Sequence, residues 1–207
     1  ANPITVEAED GKKVVISGTE PVSGWSAYQG DIFQTDITMG IDEEYRQVYR
    51  LDENNDYQLM QIARWPNDSD DDIFTVDALE LSVKGTVSSI TTSGLPNDNL
   101  AGGFIWYLGG HSGTSWTRKI TSSTTTNVSY VGIDDTKWPF NPHSPTIKRH
   151  DNYGRYFVFG HLTLLDQAKE WHYDSVEEKL YLQTENGVEP SDNNIEIATR
   201  KRAVEIN

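Results

Sequence analysis

The chain has 207 residues, enough for one sizeable core or two small ones, and it contains no cysteine. Its 32 Asp and Glu residues outnumber its 17 Lys and Arg residues, so the formal net charge is −15 at pH 7. Such a charge disfavours nucleic acid and anionic membrane surfaces as partners, and the sequence has no apolar run of 18 residues that would cross a membrane. The absence of cysteine excludes disulfides, thiolate zinc sites and thiol catalysis.

The distribution of residue types predicts strands. Short runs of Val, Ile, Tyr and Phe are separated by segments rich in Ser, Thr, Gly and Asn, and aromatic residues make up 11% of the chain. No window carries apolar residues at helical spacing over a sufficient length. We therefore expect an all-β fold, a β-sandwich or barrel, with strands like those of a β-helix at both ends.

The predicted elements begin with strands at 4–8 and 14–18, which a turn at 9–11 connects. Strands at 32–37 and 46–51 follow, and the Asn- and Asp-rich segment 52–56 predicts a hairpin loop leading into a strand at 57–63. Further strands are predicted at 79–84, 103–108, 115–121, 127–133, 155–164, 171–174, 178–183 and 194–199.

Two segments are predicted as long loops. Residues 66–72 are strongly acidic, whereas residues 134–153 are locally basic and contain three prolines. Long loops in compact domains are often binding elements. A basic loop on an acidic protein favours a negatively charged ligand.

Three stretches of the sequence carry a resemblance to a known group of proteins. Residues 2–18, NPITVEAEDGKKVVISG, resemble the first coils of right-handed parallel β-helix proteins that act on polysaccharides. Residues 47–67, with Ala-Arg-Trp-Pro-Asn at their end, and residues 164–174, LLDQAKEWHYD, followed by Lys179-Leu180-Tyr181-Leu182, are similar to two further stretches of that group.

The resemblance implies a β-barrel or sandwich that interrupts the early coils of a β-helix. It implies β-helix-like strands at 1–20, a sandwich or barrel module at 21–190, and β-helix-like strands again at 191–207. The group includes glycoside hydrolases and polysaccharide lyases, whose catalytic residues generally lie on later coils, so no catalytic residue is carried over. The rest of a parent enzyme is then an expected partner of the module.

Acidic residues suggest two further sites. Glu170 and Asp174 flank an aromatic pair and would share one face of a strand, as an acid/base pair requires; the alternative is that both close turns. Asp68, Asp70 and Asp72 offer alternating carboxylates for an irregular calcium site, although Ile73 and Leu79 occupy the Gly and Glu positions of an EF-hand. The alternative there is a solvated acidic loop, and no other cofactor is expected.

Aromatic residues give the main positive indication of a ligand. Sugars present apolar C–H faces that stack on Trp and Tyr rings, while polar side chains fix their hydroxyl groups. Trp138 is the leading candidate because it lies in the basic loop. The other candidate ligand-binding residues are Trp106, Tyr107, His111, Trp116, Arg118, His143, Lys148 and Arg149. Each tryptophan has the alternative of being a core residue, and Arg118, Lys148 and Arg149 would pair with sulfate or carboxylate groups.

The expected function is non-catalytic binding of a polysaccharide within a secreted degrading enzyme. The expected ligand is an anionic marine polysaccharide, sulfated or uronate-containing, since high acidity fits a salty medium. One alternative is a structural insert that shapes a neighbouring β-helix cleft, and another is a contribution to the catalytic site itself. Exposure of Trp138 and Trp116 on one face would favour binding over a structural insert.

Overall fold

The structure is a computed structural model that describes residues 7–12, 14–68, 70, 72, 75, 78–97, 99–111, 113–192 and 194–202. Within these residues the chain forms seventeen strands: β1 (Thr19–Val22), β2 (Ser26–Gln29), β3 (Ile32–Asp36), β4 (Val48–Leu51), β5 (Tyr57–Leu59), β6 (Gln61–Ile62), β7 (Arg64–Trp65), β8 (Glu80–Leu81), β9 (Lys84–Thr86), β10 (Ser89–Thr91), β11 (Phe104–Gly109), β12 (Ser115–Thr124), β13 (Asn127–Tyr130), β14 (Gly154–Phe159), β15 (Glu170–Asp174), β16 (Lys179–Gln183) and β17 (Ile195–Ala198). The helical elements are one α-helical turn, α1 (Phe140–His143), and 3-10 turns at Glu43–Tyr45, Leu162–Leu164 and Glu185–Gly187. No helix of the described part of the chain is long and apolar enough to cross a membrane.

The strands form three sheets. A four-stranded terminal sheet has the order β1-β17-β4-β5, and a five-stranded middle sheet has the order β2-β3-β16-β15-β6. The large sheet has the order β7-β14-β11-β12-β13-β10-β9, with β8 also paired to β14. The predicted all-β fold is confirmed in its sandwich form, because none of these sheets closes into a barrel within the described residues.

Two hydrophobic cores hold the sheets together. The first core lies between the terminal and middle sheets and contains Val22, Trp25, Phe33, Met39, Val48, Met60, Trp171, Leu180, Leu182, Ile195 and Ile197. The second core covers the inward face of the large sheet and includes Ile90, Ile105, Tyr107, Trp116, Tyr156, Val158, Leu164 and Tyr181. Since Leu180 and Tyr181 are consecutive residues of β16 that enter different cores, the middle sheet is buried on both faces at β16.

Alternation along β11 positions the residues of functional interest. Ile105 and Tyr107 are fully buried in the second core, whereas Phe104 and Trp106 are half-buried on the opposite face of the large sheet. Successive side chains of a strand point to opposite faces, so neighbouring aromatic residues of β11 face different environments.

Several predicted elements are confirmed and others are wrong. The turn at 9–11 forms, with the Lys12 amide donating to the Glu9 carbonyl at 2.9 Å, and Asp52 closes the 52–56 loop by accepting amide hydrogen bonds from Asn54 and Asp56. Residues 14–18 form no strand and carry exposed apolar side chains. The strand predicted to reach residue 164 ends at Phe159, because Gly160 takes a positive φ of 73° and a 3-10 turn follows. The edge strands β1 and β2 were not predicted, because their residues are mostly exposed and do not form an apolar run.

The two ends of the chain meet in the terminal sheet. β1 and β17 pair antiparallel, with Thr19 opposite Ala198 and Val22 opposite Ile195. Residues 1–6 and 203–207, which contribute to the β-helix resemblance, lie outside the described residues. The β-helix character of the ends and the division into 1–20, 21–190 and 191–207 stay predictions.

Candidate functional sites

The basic loop crosses one end of the large sheet and is anchored there by close backbone contact. A Cβ atom at Gly109, the last residue of β11, would lie 2.5 Å from the Cα atom of His143 and 2.8 Å from its carbonyl oxygen. Only glycine permits this approach without displacement. Gly109 therefore fixes α1, and with it the preceding Trp138, against the end of β11.

Trp138 presents its ring to solvent, with 76% of the residue exposed. Its ring centroid lies 6.4 Å from that of His143, and the His143 ring lies 5.3 Å from that of His111 in an edge-on arrangement. Arg118 approaches the same helical turn, with its guanidinium carbon 5.3 Å from the centre of the Phe140 ring. We refer to Trp138, His143, His111 and Arg118 as the Trp138 cluster.

His143 is the buried member of the cluster, with only 1% of the residue exposed. Burial is the main cause that lowers its pKa, so the ring is neutral at neutral pH. The Nδ1 atom of His143 has no hydrogen-bond partner among the described residues. A neutral imidazole with one unsatisfied nitrogen thus lies beside the exposed indole.

Tyr107 and Trp116 are core residues. Tyr107 is fully buried, its hydroxyl donates to the Tyr153 carbonyl at 2.9 Å, and burial raises its pKa to about 12. Its ring stacks on Trp116 at a centroid distance of 4.8 Å, and Trp116 is only 5% exposed. The geometry leaves these two rings no surface through which to touch a ligand, because β11 and β12 turn both of them inward.

The cationic candidates differ in their surroundings. Lys148 pairs with Asp151 at 3.6 Å, and Lys137 of the same loop pairs with Asp134 at 3.1 Å. Arg149 is exposed, and a Cβ atom at Gly110 would lie 3.1 Å from the Arg149 amide nitrogen. The Arg149 backbone therefore lies next to Gly110, the residue that precedes His111.

Trp106 lies on the other face of the large sheet and belongs to a second group of rings. Phe104 and Trp106 of β11 stand directly opposite Phe159 and Phe157 of β14. The rings stack in pairs, at 5.4 Å for Phe104 with Phe159 and 5.3 Å for Trp106 with Phe157. We call these four residues the aromatic strip.

Two cations flank the aromatic strip. The Arg64 guanidinium lies 4.2 Å from the centre of the Phe157 ring, and Lys119 Nζ lies 5.7 Å from the centre of the Phe104 ring. A groove of about 650 Å³ opens at the Phe104 and Phe159 end of the strip. The residues that line the groove are Glu43, Glu44, Arg46, Gln47, Leu59, Met60, Gln61, Ile62, Phe104, Thr117, Phe159, Gly160, Trp171, His172 and Tyr173.

The described carboxylates of the acidic loop are not gathered into a cluster. Asp68 is half-buried, while Asp70 and Asp72 are exposed. The Asp70 carboxylate accepts the Asp72 amide hydrogen bond at 2.9 Å. In the described part of the chain, no three side chains of the His, Cys, Asp and Glu types lie close enough to hold a metal ion, so Asp68, Asp70 and Asp72 are not brought together as a calcium site.

Glu170 and Asp174 are both engaged with backbone amides. Glu170 is 2% exposed and accepts hydrogen bonds from the amides of Arg64, Asp166 and Gln167 at 3.2–3.3 Å. Asp174 closes a turn by accepting from the amides of Val176 and Glu177. These contacts match the expectation that the two acids close turns.

A comparison with solved structures finds a protein of similar fold. A protein described as a glycoside hydrolase matches with a TM-score of 0.58 and 16% sequence identity, over 87% of this chain and 31% of that chain. This chain therefore spans about a third of the length of that protein and shares its fold there. No protein-family model matches the sequence, and no curated protein matches it significantly.

The aromatic strip and its groove were missed by sequence reasoning. Only Trp106 of the strip was a candidate, because the strip joins two strands that lie about fifty residues apart in the chain. The alternation of apolar residues in β14 indicates a strand, but the pairing of Trp106 with Phe157 depends on strand register, which a single sequence does not contain.

Proposed function

We propose that this chain binds a polysaccharide without cleaving it, as an accessory module of a larger, secreted polysaccharide-degrading protein. The similar solved structure supports this proposal, since it is described as a glycoside hydrolase and is about three times as long as the matched region. The engagement of Glu170 and Asp174 with backbone amides argues against a catalytic pair at these positions.

The observation that carries the proposal is the exposure of the Trp138 ring. A tryptophan 76% exposed is unusual, because burial of an indole is favourable. Its surroundings suit a sugar: the indole offers an apolar face, and His111 and Arg118 offer hydrogen-bonding groups nearby. A pyranose ring stacked on Trp138 would shield the apolar face of the indole and the apolar face of the sugar from water.

Arg149 and Arg118 make acidic sugars the preferred ligand class at the Trp138 cluster. A guanidinium group binds sulfate or carboxylate through paired hydrogen bonds. The remainder of the protein is strongly acidic, so a local cation is needed to hold a polyanion there. We expect the affinity for such a ligand to fall as salt screens this contact.

A structural insert is the second candidate function. The burial of Trp116 and Tyr107 favours it, because a module that only shapes a neighbouring cleft would direct its aromatic residues inward. Trp138 is then the residue that separates the two functions.

The test is affinity electrophoresis of the chain in gels that contain xylan, alginate or carrageenan. We expect retardation by an anionic polysaccharide in the wild type, loss of at least fivefold in affinity in Trp138→Ala, and a smaller, salt-sensitive loss in Arg149→Ala. Tyr57→Ala is the matched control, since Tyr57 is an exposed aromatic residue of the terminal sheet. Absence of retardation by every polysaccharide would favour the structural insert.

A further inference from the structure

We infer that the free face of Trp106, above Thr117 and beside the groove, is a second sugar-binding surface that takes uncharged pyranose units. This inference rests on the proposed function, because it assigns a further subsite to a polysaccharide-binding module.

Strand register determines which face of the indole is free. Phe157 of β14 stands opposite Trp106 on one side, and Thr117 of β12 stands opposite it on the other. The indole stacks on Phe157, with an interplanar angle of 21°. Its second face therefore points towards β12, where a small, exposed threonine leaves the space above it open.

The strip is not explained by core packing. Of the described residues, neither hydrophobic core includes Phe104, Trp106, Phe157 or Phe159. All four rings are half-buried, whereas the alternate residues Ile105, Tyr107, Tyr156 and Val158 are fully buried. The large sheet thus carries aromatic residues on both faces, but only those on the inward face are completely buried.

The chemistry of the groove selects an uncharged sugar. Its lining places neutral hydrogen-bonding groups of Thr117, Gln47 and Gln61 next to the rings, which suits a ligand with apolar C–H faces and hydroxyl edges. Glu43 and Glu44 are exposed at the same groove, and Glu43 is paired with Arg46 at 3.9 Å. The cations at the groove and the strip are buried or already engaged: Arg64 is only 4% exposed, Arg46 pairs with Glu43, and Lys119 lies over the Phe104 ring. The exposed carboxylates therefore disfavour sulfate and uronate groups here, in contrast to the arginines near Trp138.

The surface is independent of the Trp138 cluster. Trp106 and Tyr107 are adjacent residues that point to opposite faces of the large sheet, and Trp116 lies on the Tyr107 side. The loop that carries Trp138 packs at the end of that inward side, through Gly109. Variants of one surface can therefore be made without changing the other.

The experiment fills the open space in one variant and removes the ring in another. Thr117 is exposed on a strand, so Thr117→Tyr keeps a β-compatible residue while covering the free indole face. Thr117→Val is the matched control of similar size. We expect Thr117→Tyr and Trp106→Thr to lower the affinity for the uncharged polysaccharides xylan and β-glucan at least fivefold, and Thr117→Val to bind like the wild type.

A second control tests whether any change on this face has the same effect. Leu81 is 52% exposed and pairs with Arg155 of β14, outside the aromatic strip; Leu81→Thr should leave affinity unchanged. Thermal unfolding of each variant verifies that it is folded.

The outcomes separate this inference from the proposed function. Unchanged binding of uncharged polysaccharides by folded Thr117→Tyr and Trp106→Thr overturns the inference alone, as does a wild type that binds only alginate or carrageenan. A wild type that binds no polysaccharide overturns both. Sedimentation that shows a wild-type dimer dissociated by Thr117→Tyr would assign the face to a second copy of the chain and would also overturn the inference.

Discussion

Glu170 is a buried carboxyl group that connects two segments distant in sequence. One oxygen accepts from the Arg64 amide, and the other accepts from the amides of Asp166 and Gln167. Arg64 begins β7 of the large sheet, while Glu170 begins β15 of the middle sheet. The carboxyl group therefore joins two sheets at the point where the chain passes from one to the other.

Burial raises the pKa of Glu170 to about 8, against an ordinary value of 4.5. Between these two values the folded state holds a proton that the unfolded state has released, so the free energy of unfolding falls as pH rises. The contribution of this group to that fall is about 1.4 kcal/mol per pH unit within the window. We expect urea unfolding between pH 5 and pH 8 to give a slope of unfolding free energy against pH that is more positive in Glu170→Gln than in the wild type, because the substitution removes this negative contribution.

Glu189→Gln is the control for this measurement, because it makes the same substitution at an exposed glutamate. Its pH dependence should match that of the wild type. Parallel slopes for wild type and Glu170→Gln would contradict the prediction.

Gly109 gives a second prediction at the scale of one residue. Gly109→Ala forces the His143 backbone away from β11, since the added carbon would lie 2.5 Å from the His143 Cα atom. We expect a loss of about 1–3 kcal/mol in stability and a weaker interaction of polysaccharide with Trp138, measured by chemical unfolding and by affinity electrophoresis.

Gly113→Ala provides the comparison for Gly109→Ala. A Cβ atom at Gly113 would lie 3.6 Å from its nearest neighbours in His111 and His143, which is an ordinary contact. The prediction fails if the two alanine variants are equally stable.

At the scale of elements, the pairing of β11 with β14 determines the aromatic strip. Trp106 and Phe157 are cross-strand neighbours with stacked rings, and such pairs contribute about 0.5–1.5 kcal/mol beyond burial. We expect a double-mutant cycle with Trp106→Thr and Phe157→Thr to give a coupling energy in this range, measured by urea unfolding.

Leu108 and Arg155 form the control cycle. They are also opposite each other on β11 and β14 but contain no ring pair. Their coupling should be smaller, and equal coupling in the two cycles would show that general strand pairing, not ring stacking, is being measured.

The sequence predicts the strands better than it predicts their faces. In β11 the run Phe-Ile-Trp-Tyr-Leu carries large apolar residues at every position, so its composition indicates a strand without showing which side is inward. Trp106 and Trp116 were both candidate ligand-binding residues, and the fold turns Trp106 outward while it buries Trp116. Trp138 is different, because its loop lies outside any alternating pattern and its exposure could be anticipated.

At the scale of the whole molecule, the net charge of −15 acts against folding. Like charges repel more strongly in the compact state, and salt screens the repulsion. We expect the melting temperature to rise as NaCl increases from 10 to 300 mM. Sucrose of equal osmolarity is the control. A melting temperature that does not change with NaCl would show that local ion pairs offset the overall repulsion.

The antiparallel pairing of β1 with β17 has a consequence for protein engineering. Thr19 and Ala198 are direct partners across the strands, and such partners lie about 5 Å apart. A tight turn in another protein has ends of similar separation, so residues 19–198 can replace such a turn without spreading its flanking strands. For the same reason, a short linker between these two positions should yield a circular permutant that retains all three sheets.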